Sequence, residues 1–185
     1  PSTKDLLDAV ERVNADAVII LPNNSNIIMA AQSAAGLSEV PCAVVPTKSV
    51  PQAFSALFSA DETASLEENV ENMTSAFADT KTGEVTTAIK DSKDAHDNPI
   101  HNGDVIGIAD GSIEAVGSSV EDVVMSLLDT MEAEDADTLT LLAGEDFSDE
   151  QLDALVERIE SRFDELEIDA HRVEQPLYPI VFSVE

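Results

Sequence analysis

The chain has 185 residues and carries 38 acidic against 9 basic side chains, so its formal net charge is −29 and its pI is about 4.1. Nine scattered cations cannot line a nucleic-acid backbone, and an anionic membrane surface would repel the chain, so we exclude both as direct partners. A hydrophobic content of 43% and a mean hydropathy of −0.03 separate it from acidic disordered chains and predict a folded, soluble protein.

The ends of the chain and its cysteine content bear on compartment and completeness. One cysteine, Cys42, excludes an internal disulfide and favours a reducing, cytoplasmic setting. The N-terminus lacks the basic start and apolar run of a signal peptide. No apolar stretch approaches the ~18 residues that cross a membrane. Because the chain begins at Pro1 rather than Met, we expect a fragment of a longer protein.

The first part of the chain alternates helices with short apolar strands. Each strand run is continuously apolar, which is typical of strands buried on both faces of a parallel sheet. Helix, strand, helix, strand and helix in this order predict a parallel α/β lobe. The predicted elements are a helix over 6–13 that Ser2 or Thr3 caps, a strand over 17–22, a helix over 27–36 that ends near Gly36, a strand over 42–46, and a short helix carrying Phe54, Leu57 and Phe58.

A capping box of Ser65 and Glu68 then opens a helix whose apolar face runs to Phe77. Polar residues over 80–84 end this helix, and we place the boundary between two lobes there. We therefore expect a parallel-sheet α/β lobe over 1–79, incomplete at its N-terminus, and an α+β lobe over 80–185.

The second lobe combines short strands, a β-hairpin and two helices. The dipeptide Asp110-Gly111 is a strong signal for a two-residue hairpin turn. Two further capping boxes, Ser118 with Glu121 and Ser148 with Gln151, predict the helix starts, and 91–102 is a polar loop. Strands are predicted over 85–89, 105–109, 113–116, 138–142, 168–171 and 179–184.

Two polar loops follow the two parallel strands and form the leading candidate site. Asn23, Asn24, Ser25 and Asn26 come after the first strand and before a helix. In open α/β sheets, ligands bind at the carboxyl ends of strands, and the free N–H groups of a helix start attract anions. The alternative is structural, because Asn and Ser are also the usual helix caps.

The second loop should lie beside the first, because both strands are expected in one parallel sheet. It contains Thr47, Lys48 and Gln52, and Lys48 is one of only nine cations. The two loops together suit a carboxylate or phosphate. The alternative is a turn ahead of a helix that has Pro51 in its first turn.

Other chemistry-bearing residues form weaker patterns. His and carboxylate side chains suit a metal ion, but their spacing in the 91–104 segment matches no standard motif, so no metal site is predicted. Cys42, at the head of a strand, is interpreted as a core residue, and Ser25 has no identifiable base for nucleophilic catalysis. The nucleophile elbow, Walker A loop, dinucleotide glycine pattern and zinc-finger spacing are absent. The possible metal ligands are Asp94, His96, Asp97, His101 and Asp104.

Several ordered motifs along nearly the whole chain resemble one family. They are PSTKDLL over 1–7, VIILPNNSNII over 18–28, VVPTK over 44–48, LEENV over 66–70, GDVIGI over 103–108, GED over 144–146 and QPLY over 175–178. Together they resemble the C-terminal, DegV-like region of the A component of fatty acid kinase, which belongs to a bacterial kinase family related to dihydroxyacetone kinase.

The resemblance implies a two-lobed DegV-like architecture and a division of labour. In that family an N-terminal nucleotide domain carries ATP, Mg²⁺ and catalysis, and a middle domain follows it. No segment here resembles the nucleotide domain, so the resemblance implies neither catalytic residues nor a cofactor in this chain. The implied partners are the kinase and middle domains of the same polypeptide and a DegV-type fatty-acid-binding protein, whose bound carboxylate the kinase phosphorylates.

The resemblance also assigns residues to the candidate face. In DegV proteins a Ser/Thr-rich turn helps to hold the fatty acid carboxylate, and Asn23–Asn26 occupies the matching position without the DegV-type Ser-Gly-Thr pattern. Gln175 and Tyr178 of the QPLY motif join the candidates, and Glu174 stands where a Gly is expected. The leading hypothesis is a docking domain for the fatty-acid-binding protein. The alternative is a DegV-like module that itself binds a fatty acid or small anionic ligand.

Overall fold

The computed structural model describes residues 1–185, which divide into two compact units, Pro1–Thr80 and Lys81–Glu185. The fold is mixed α/β, with helices and strands alternating in the first unit and a six-stranded sheet in the second. None of the six α-helices has the length and hydrophobicity that a bilayer crossing requires.

The first unit is built on two parallel strands. Val18 lies opposite Cys42 and Ile20 opposite Val44, so the two strands run in register. A small core of Val45, Ala56 and Met73 packs between these strands and the helices that follow. The elements in order are α1 (Thr3–Val13), β1 (Val18–Ile20), α2 (Ser25–Leu37), β2 (Cys42–Val44), α3 (Val50–Phe58) and α4 (Leu66–Ala76).

The helix starts of this unit follow the predicted capping residues. Ser2 caps α1 and Ser65 caps α4, and both complete a capping box with the carboxylate three residues on. The end of α2 differs from the prediction, since the helix continues through Gly36 and its C-cap is Ser38. Burial also differs, because every residue of β1 and β2 except Val18 is only half-buried. In a two-stranded sheet each strand is an edge strand, so neither has neighbours on both sides.

The second unit is built on one six-stranded sheet of order β7-β6-β3-β10-β8-β9. All neighbours are antiparallel except β8 and β9, which are parallel and are connected by α6. The elements are β3 (Lys81–Thr87), β4 (Ser92–Lys93), β5 (Pro99–Ile100), β6 (Val105–Ala109), β7 (Ser112–Gly117), α5 (Val120–Thr130), a 3₁₀ turn (Ala133–Asp135), β8 (Thr138–Ala143), α6 (Asp149–Arg162), β9 (Glu167–Arg172) and β10 (Ile180–Val184).

Both helices of the second unit pack their apolar sides onto one large core. Leu127 and Leu128 of α5, Leu155 and Ile159 of α6, and Phe182 of β10 are fully buried in this cluster. Most of the buried hydrophobic residues are aliphatic, with Phe147, Phe163 and Phe182 among them.

Three details of the second unit correct the sequence prediction. The strand β3 begins at Lys81 rather than at 85, and the ring of Phe182 packs where a side chain on Gly83 would lie. The N-cap of α5 is Ser119, whose hydroxyl accepts a hydrogen bond from the Asp122 N–H at 3.2 Å, so the cap lies one residue later than predicted. The polar loop over 91–102 contains a short hairpin of β4 and β5.

Candidate functional site

The two candidate loops lie at the same edge of the first unit because their strands are parallel. The chain leaves β1 after Ile20 and β2 after Val44, which are direct partners in the sheet. The Val45 N–H then donates to the Ile20 carbonyl at 3.1 Å and extends the pairing by one residue. The predicted proximity of the two loops therefore follows from the strand register.

A pair of hydrogen bonds joins the two loops. The Thr47 hydroxyl accepts from the Asn23 backbone N–H at 3.1 Å and donates to Asn23 Oδ1 at 2.7 Å. Thr47 is fully buried, and Asn23 has φ of 55°, a left-handed conformation that Asn adopts more readily than most residues. Thr47 and Asn23 thus hold the loops in one fixed arrangement.

The first loop also caps a helix. Asn24 is the N-cap of α2, and its Oδ1 accepts from the Asn26 N–H at 2.9 Å. Ser25 and Asn26 form the first turn of α2 and are exposed with Asn24. Asn24 therefore has the structural role that the sequence offered as an alternative, while the three residues still present polar groups to solvent. No hydrogen bond joins Ser25 to a histidine or carboxylate, so no nucleophile and base pair is formed there.

The second loop turns most of its polar groups inward. The backbone N–H of Lys48 donates to Gln52 Oε1 at 2.8 Å, and Ser49 caps α3 through the Gln52 N–H at 3.4 Å. Ser49 and Gln52 are buried, so Gln52 supports the loop and does not face a partner. The Lys48 side chain is exposed and forms no ion pair. Lys48 is therefore the one charged group that this loop presents.

The candidates of the second unit fasten a loop to the sheet. Gln175 Nε2 donates to the carbonyls of Leu142 and Tyr178, both at 3.0 Å. A Cβ on Gly144 would collide with the backbone carbonyls of Gln175 and Tyr178, so only glycine fits there. Glu174 has φ of 61°, the left-handed region that favours glycine, which explains why a Gly is expected at this position.

Two side chains near this loop, Glu84 and Tyr178, have raised pKa values. Burial raises the pKa of the Glu84 carboxyl. Burial, and secondarily the charge of Glu84, raises the pKa of the Tyr178 hydroxyl. Gln175 Oε1 is buried without a hydrogen-bond partner, whereas the Nε2 of the same side chain donates two hydrogen bonds. The candidates Gln175 and Tyr178 belong to the second unit, and the loop candidates belong to the first.

The possible metal ligands are engaged in separate local contacts. Asp94 accepts from the N–H groups of His96 and Asn98, both at 2.8 Å, and forms the turn between β4 and β5. Asp104 accepts from the His101 N–H at 2.8 Å, and His96 Nε2 lies 3.2 Å from a Glu114 oxygen. No group of three metal-ligating side chains converges in the chain. Cys42 is half-buried, and burial raises the pKa of its thiol.

Comparison with known proteins gives a family over the whole chain. The model of the FakA-like C-terminal family, which describes the C-terminal region of fatty acid kinase A-like proteins, matches residues 1–185. The chain belongs to this family. Protein YloV of Bacillus subtilis (strain 168) is 41% identical over an alignment 186 positions long, which covers 100% of this chain and 33% of YloV. This FakA-like chain therefore spans about a third of the length of the curated relatives it matches.

Solved structures of DegV proteins share the fold of this family member. DegV family protein Cg2579 from Corynebacterium glutamicum matches with a TM-score of 0.65 and 16% identity, covering 100% of this chain and 80% of that one. The Streptococcus pneumoniae fatty acid kinase (Fak) B3 protein, solved loaded with linoleic acid, matches with a TM-score of 0.65 and 14% identity over 100% and 76% of the two chains. The DegV-like fold expected from the sequence is confirmed, and the chain is a fatty acid kinase-related module.

Proposed function

We propose that the chain is a non-catalytic docking module of a fatty acid kinase. It binds a DegV-type fatty-acid-binding protein and presents the bound acyl carboxylate to the kinase domain. In this proposal the kinase and middle domains lie elsewhere in the same cytoplasmic polypeptide, and the kinase domain uses ATP and Mg²⁺ to form the acyl phosphate. Membership of the FakA-like family and the threefold greater length of YloV support this division.

The observation that carries the proposal is the linkage of the two strand-end loops through Asn23 and Thr47. It holds a polar edge in one conformation, so the loops of this chain lose little conformational entropy when a partner binds. The buried side chains of Thr47, Ser49 and Gln52 all form hydrogen bonds within this edge. Asn24, Asn26 and Lys48 remain exposed. This arrangement suits recognition of a protein surface better than covalent chemistry.

A matched pair of double variants tests the docking face. Asn24→Ser with Lys48→Ala removes an exposed amide and the free ammonium, while Ser still caps α2. Asn102→Ser with Lys90→Ala makes the same changes at exposed positions of the second unit. We expect calorimetry against the fatty-acid-loaded DegV-type protein of the same genome to show affinity reduced at least tenfold for the first variant and unchanged for the second. Equal affinities of wild type and both variants would refute this face.

The rival function is binding of a fatty acid or small anionic ligand by the chain itself. The observation that favours it is the fold, because the matched Streptococcus protein was solved loaded with linoleic acid. Native mass spectrometry of freshly purified protein separates the two. A mass equal to that of the bare chain supports docking, and a co-purifying acyl chain supports the rival.

A further inference from the structure

Glu84 carries a charge that the chain itself does not compensate. Most acidic side chains of this protein are exposed to water, whereas Glu84 is half-buried in the middle of β3. Burial raises the pKa of its carboxyl, and no hydrogen bond or ion pair within the chain involves this group. A charge that is withdrawn from water without a partner costs free energy. The chain therefore keeps this carboxylate in a strand at a cost to its stability.

Two bases close to this region in the sequence bind other groups. Lys81, three residues before Glu84, donates from Nζ to the Met131 carbonyl at 2.9 Å. Arg172, at the end of β9, donates to the Phe147 carbonyl. Neither base compensates Glu84, so a compensating cation has to come from outside the chain.

Strand alternation and one hydrogen bond place the loop that precedes β10 beside Glu84. Val85 is fully buried in the large core of the second unit. Because successive side chains of a strand point to opposite faces, Glu84 and Thr86 share the other face of the sheet. The Thr86 hydroxyl donates to the Leu177 carbonyl at 2.7 Å. This bond fixes the loop next to Glu84.

Tyr178 follows in this loop and supplies an aromatic ring near the carboxylate. Burial, and secondarily the charge of Glu84, raises the pKa of the Tyr178 hydroxyl, so the two groups lie within electrostatic range of each other. The ring is half-buried, and its hydroxyl forms no hydrogen bond within the chain. Gln175 Nε2 donates to the Tyr178 carbonyl at 3.0 Å and holds this residue in place, while Gln175 Oε1 has no donor. The region thus combines an unpaired carboxylate, an aromatic ring and a second unpaired acceptor.

The chemistry of these groups selects one class of ligand. An anionic ligand such as a free acyl carboxylate would be repelled by Glu84, and no group of three metal-ligating side chains converges in the chain. A guanidinium group binds a carboxylate through two parallel hydrogen bonds and stacks on an aromatic ring. An ammonium group is a more strongly hydrated point charge, so it loses more hydration on entering a half-buried site. A carboxylate beside a tyrosine ring therefore suits a guanidinium group best.

We propose that Glu84 and Tyr178 form a binding site for the guanidinium group of an arginine side chain that comes from outside this chain. In the bound state the Glu84 carboxylate accepts hydrogen bonds from the guanidinium group, which stacks on the Tyr178 ring. Binding supplies the partner that the buried charge lacks and offsets its cost to stability. The site itself does not depend on the proposed function. The source of the arginine does, because under that function it belongs either to the DegV-type protein or to the other domains of the longer polypeptide.

The test uses the emission of Tyr178, because the chain has one tyrosine and no tryptophan. The probe is N-acetylargininamide at constant ionic strength, and the matched ligand is N-acetylcitrullinamide, in which a neutral urea group replaces the guanidinium group. We expect the arginine derivative to change the emission saturably and the citrulline derivative to leave it unchanged. Glu84→Gln should weaken binding by about tenfold or more while it raises the melting temperature at pH 7, since it removes the charge that both effects require. The control Glu157→Gln, at an exposed position of α6, should bind as the wild type does.

Three results would overturn the inference. Emission that does not change with the arginine derivative would show that no such site exists. Equal changes with both ligands would show that the guanidinium group is not what is recognised. Equal binding to the wild type and to Glu84→Gln would assign the effect to general attraction of cations by an acidic surface.

A second measurement identifies the source of the arginine. Saturation-transfer NMR of the arginine derivative compares the 185-residue chain alone, the chain with the fatty-acid-loaded DegV-type protein of the same genome, and the longer polypeptide. Displacement by the DegV-type protein assigns the arginine to that partner, and loss of binding in the longer polypeptide assigns it to the other domains. Unchanged binding in both would overturn a protein source. A DegV-type protein that does not bind the chain at all would refute the proposed function but leave the site, which the emission test decides.

Discussion

At the scale of single residues, Thr47 has the largest consequence for the candidate face. Its hydroxyl both accepts from and donates to Asn23, and the side chain is fully buried. A buried polar group that loses its partner costs more than the bond itself contributes, because the orphaned group has no water to replace it. Thr47 therefore controls the geometry of both loops.

Replacing Thr47 by Val keeps the shape of the side chain and deletes the hydroxyl. We expect Thr47→Val to lower the free energy of unfolding by about 1–3 kcal/mol, since Asn23 then has an unpaired N–H and an unpaired Oδ1. Urea denaturation measures the change, and Thr47→Ser, which retains the hydroxyl, is the control. A Val variant as stable as the Ser variant would contradict the assigned role.

Glu84 is a second residue whose role can be measured, through the pH dependence of stability. Burial raises its pKa, so the folded state favours the neutral carboxyl. The stability linked to this group is fully present below the unfolded pKa and is lost as pH rises through the raised folded pKa. At neutral pH, which lies above the unfolded pKa of a Glu carboxyl, burial of Glu84 therefore opposes folding.

The variant Glu84→Gln removes this opposition. We expect a higher melting temperature than wild type at pH 7 and no difference below about pH 3, where an unperturbed Glu is protonated in both states. The control is Glu157→Gln on the exposed side of α6, because it removes one charge from the same acidic chain. Equal gains for both variants would assign the effect to net charge and not to burial.

At the scale of secondary structure elements, local sequence signals predict most helix starts but not all boundaries. The capping boxes of Ser65 and Ser148 open helices as predicted, because a cap depends on residues three positions apart. The start of β3 was not predictable from its polar sequence, since Lys81–Glu84 are held by pairing with β10 and by the ring of Phe182 over Gly83. Long-range packing thus decides this boundary.

Some features of the candidate site could also be predicted from the sequence, and others depend on tertiary contacts. The nearness of the two loops followed from treating β1 and β2 as parallel neighbours, which needs only the strand pattern. The bonds between Asn23 and Thr47, and the inward direction of Gln52 and Gln175, depend on tertiary contacts that no short motif encodes. The sequence predicted a short helix carrying Phe54, Leu57 and Phe58, but not the exposure of these side chains, which depends on tertiary packing.

Replacing either of two glycines by alanine should change the free energy of unfolding, in opposite directions. A Cβ at Gly36, inside α2, meets no atom within 4 Å, so Gly36→Ala should stabilise the fold by about 0.5–1 kcal/mol through helix propensity. A Cβ at Gly83, inside β3, collides with Phe182, so Gly83→Ala should cost about 1–3 kcal/mol. Urea denaturation of both variants measures the signs, and effects of the same sign would contradict the packing described for one of them.

At the scale of the whole molecule, the charges are distributed unevenly along the chain. The net charge of −29 lies almost entirely outside the segment from 17 to 60. In the proposed docking, we expect long-range attraction to come from the acidic remainder and short-range contact from the nearly neutral segment.

This separation predicts how docking responds to salt. We expect the association rate with a DegV-type protein that has a basic surface to fall at least threefold from about 50 to about 500 mM NaCl, because the Debye length shortens from roughly 14 to roughly 4 Å. Stopped-flow kinetics measures the rate, and the dissociation rate should change little. An association rate that does not depend on salt would show that electrostatic attraction does not accelerate docking.

The central claim is that the chain recognises the fatty-acid-loaded form of a separate protein and performs no chemistry itself. Isothermal titration of the 185-residue chain with the fatty-acid-loaded DegV-type protein of its own genome tests this most directly. The account predicts saturable binding with one partner per chain, with the fatty acid still on the partner and chemically unchanged. Absence of binding, or recovery of the fatty acid on this chain, would contradict it.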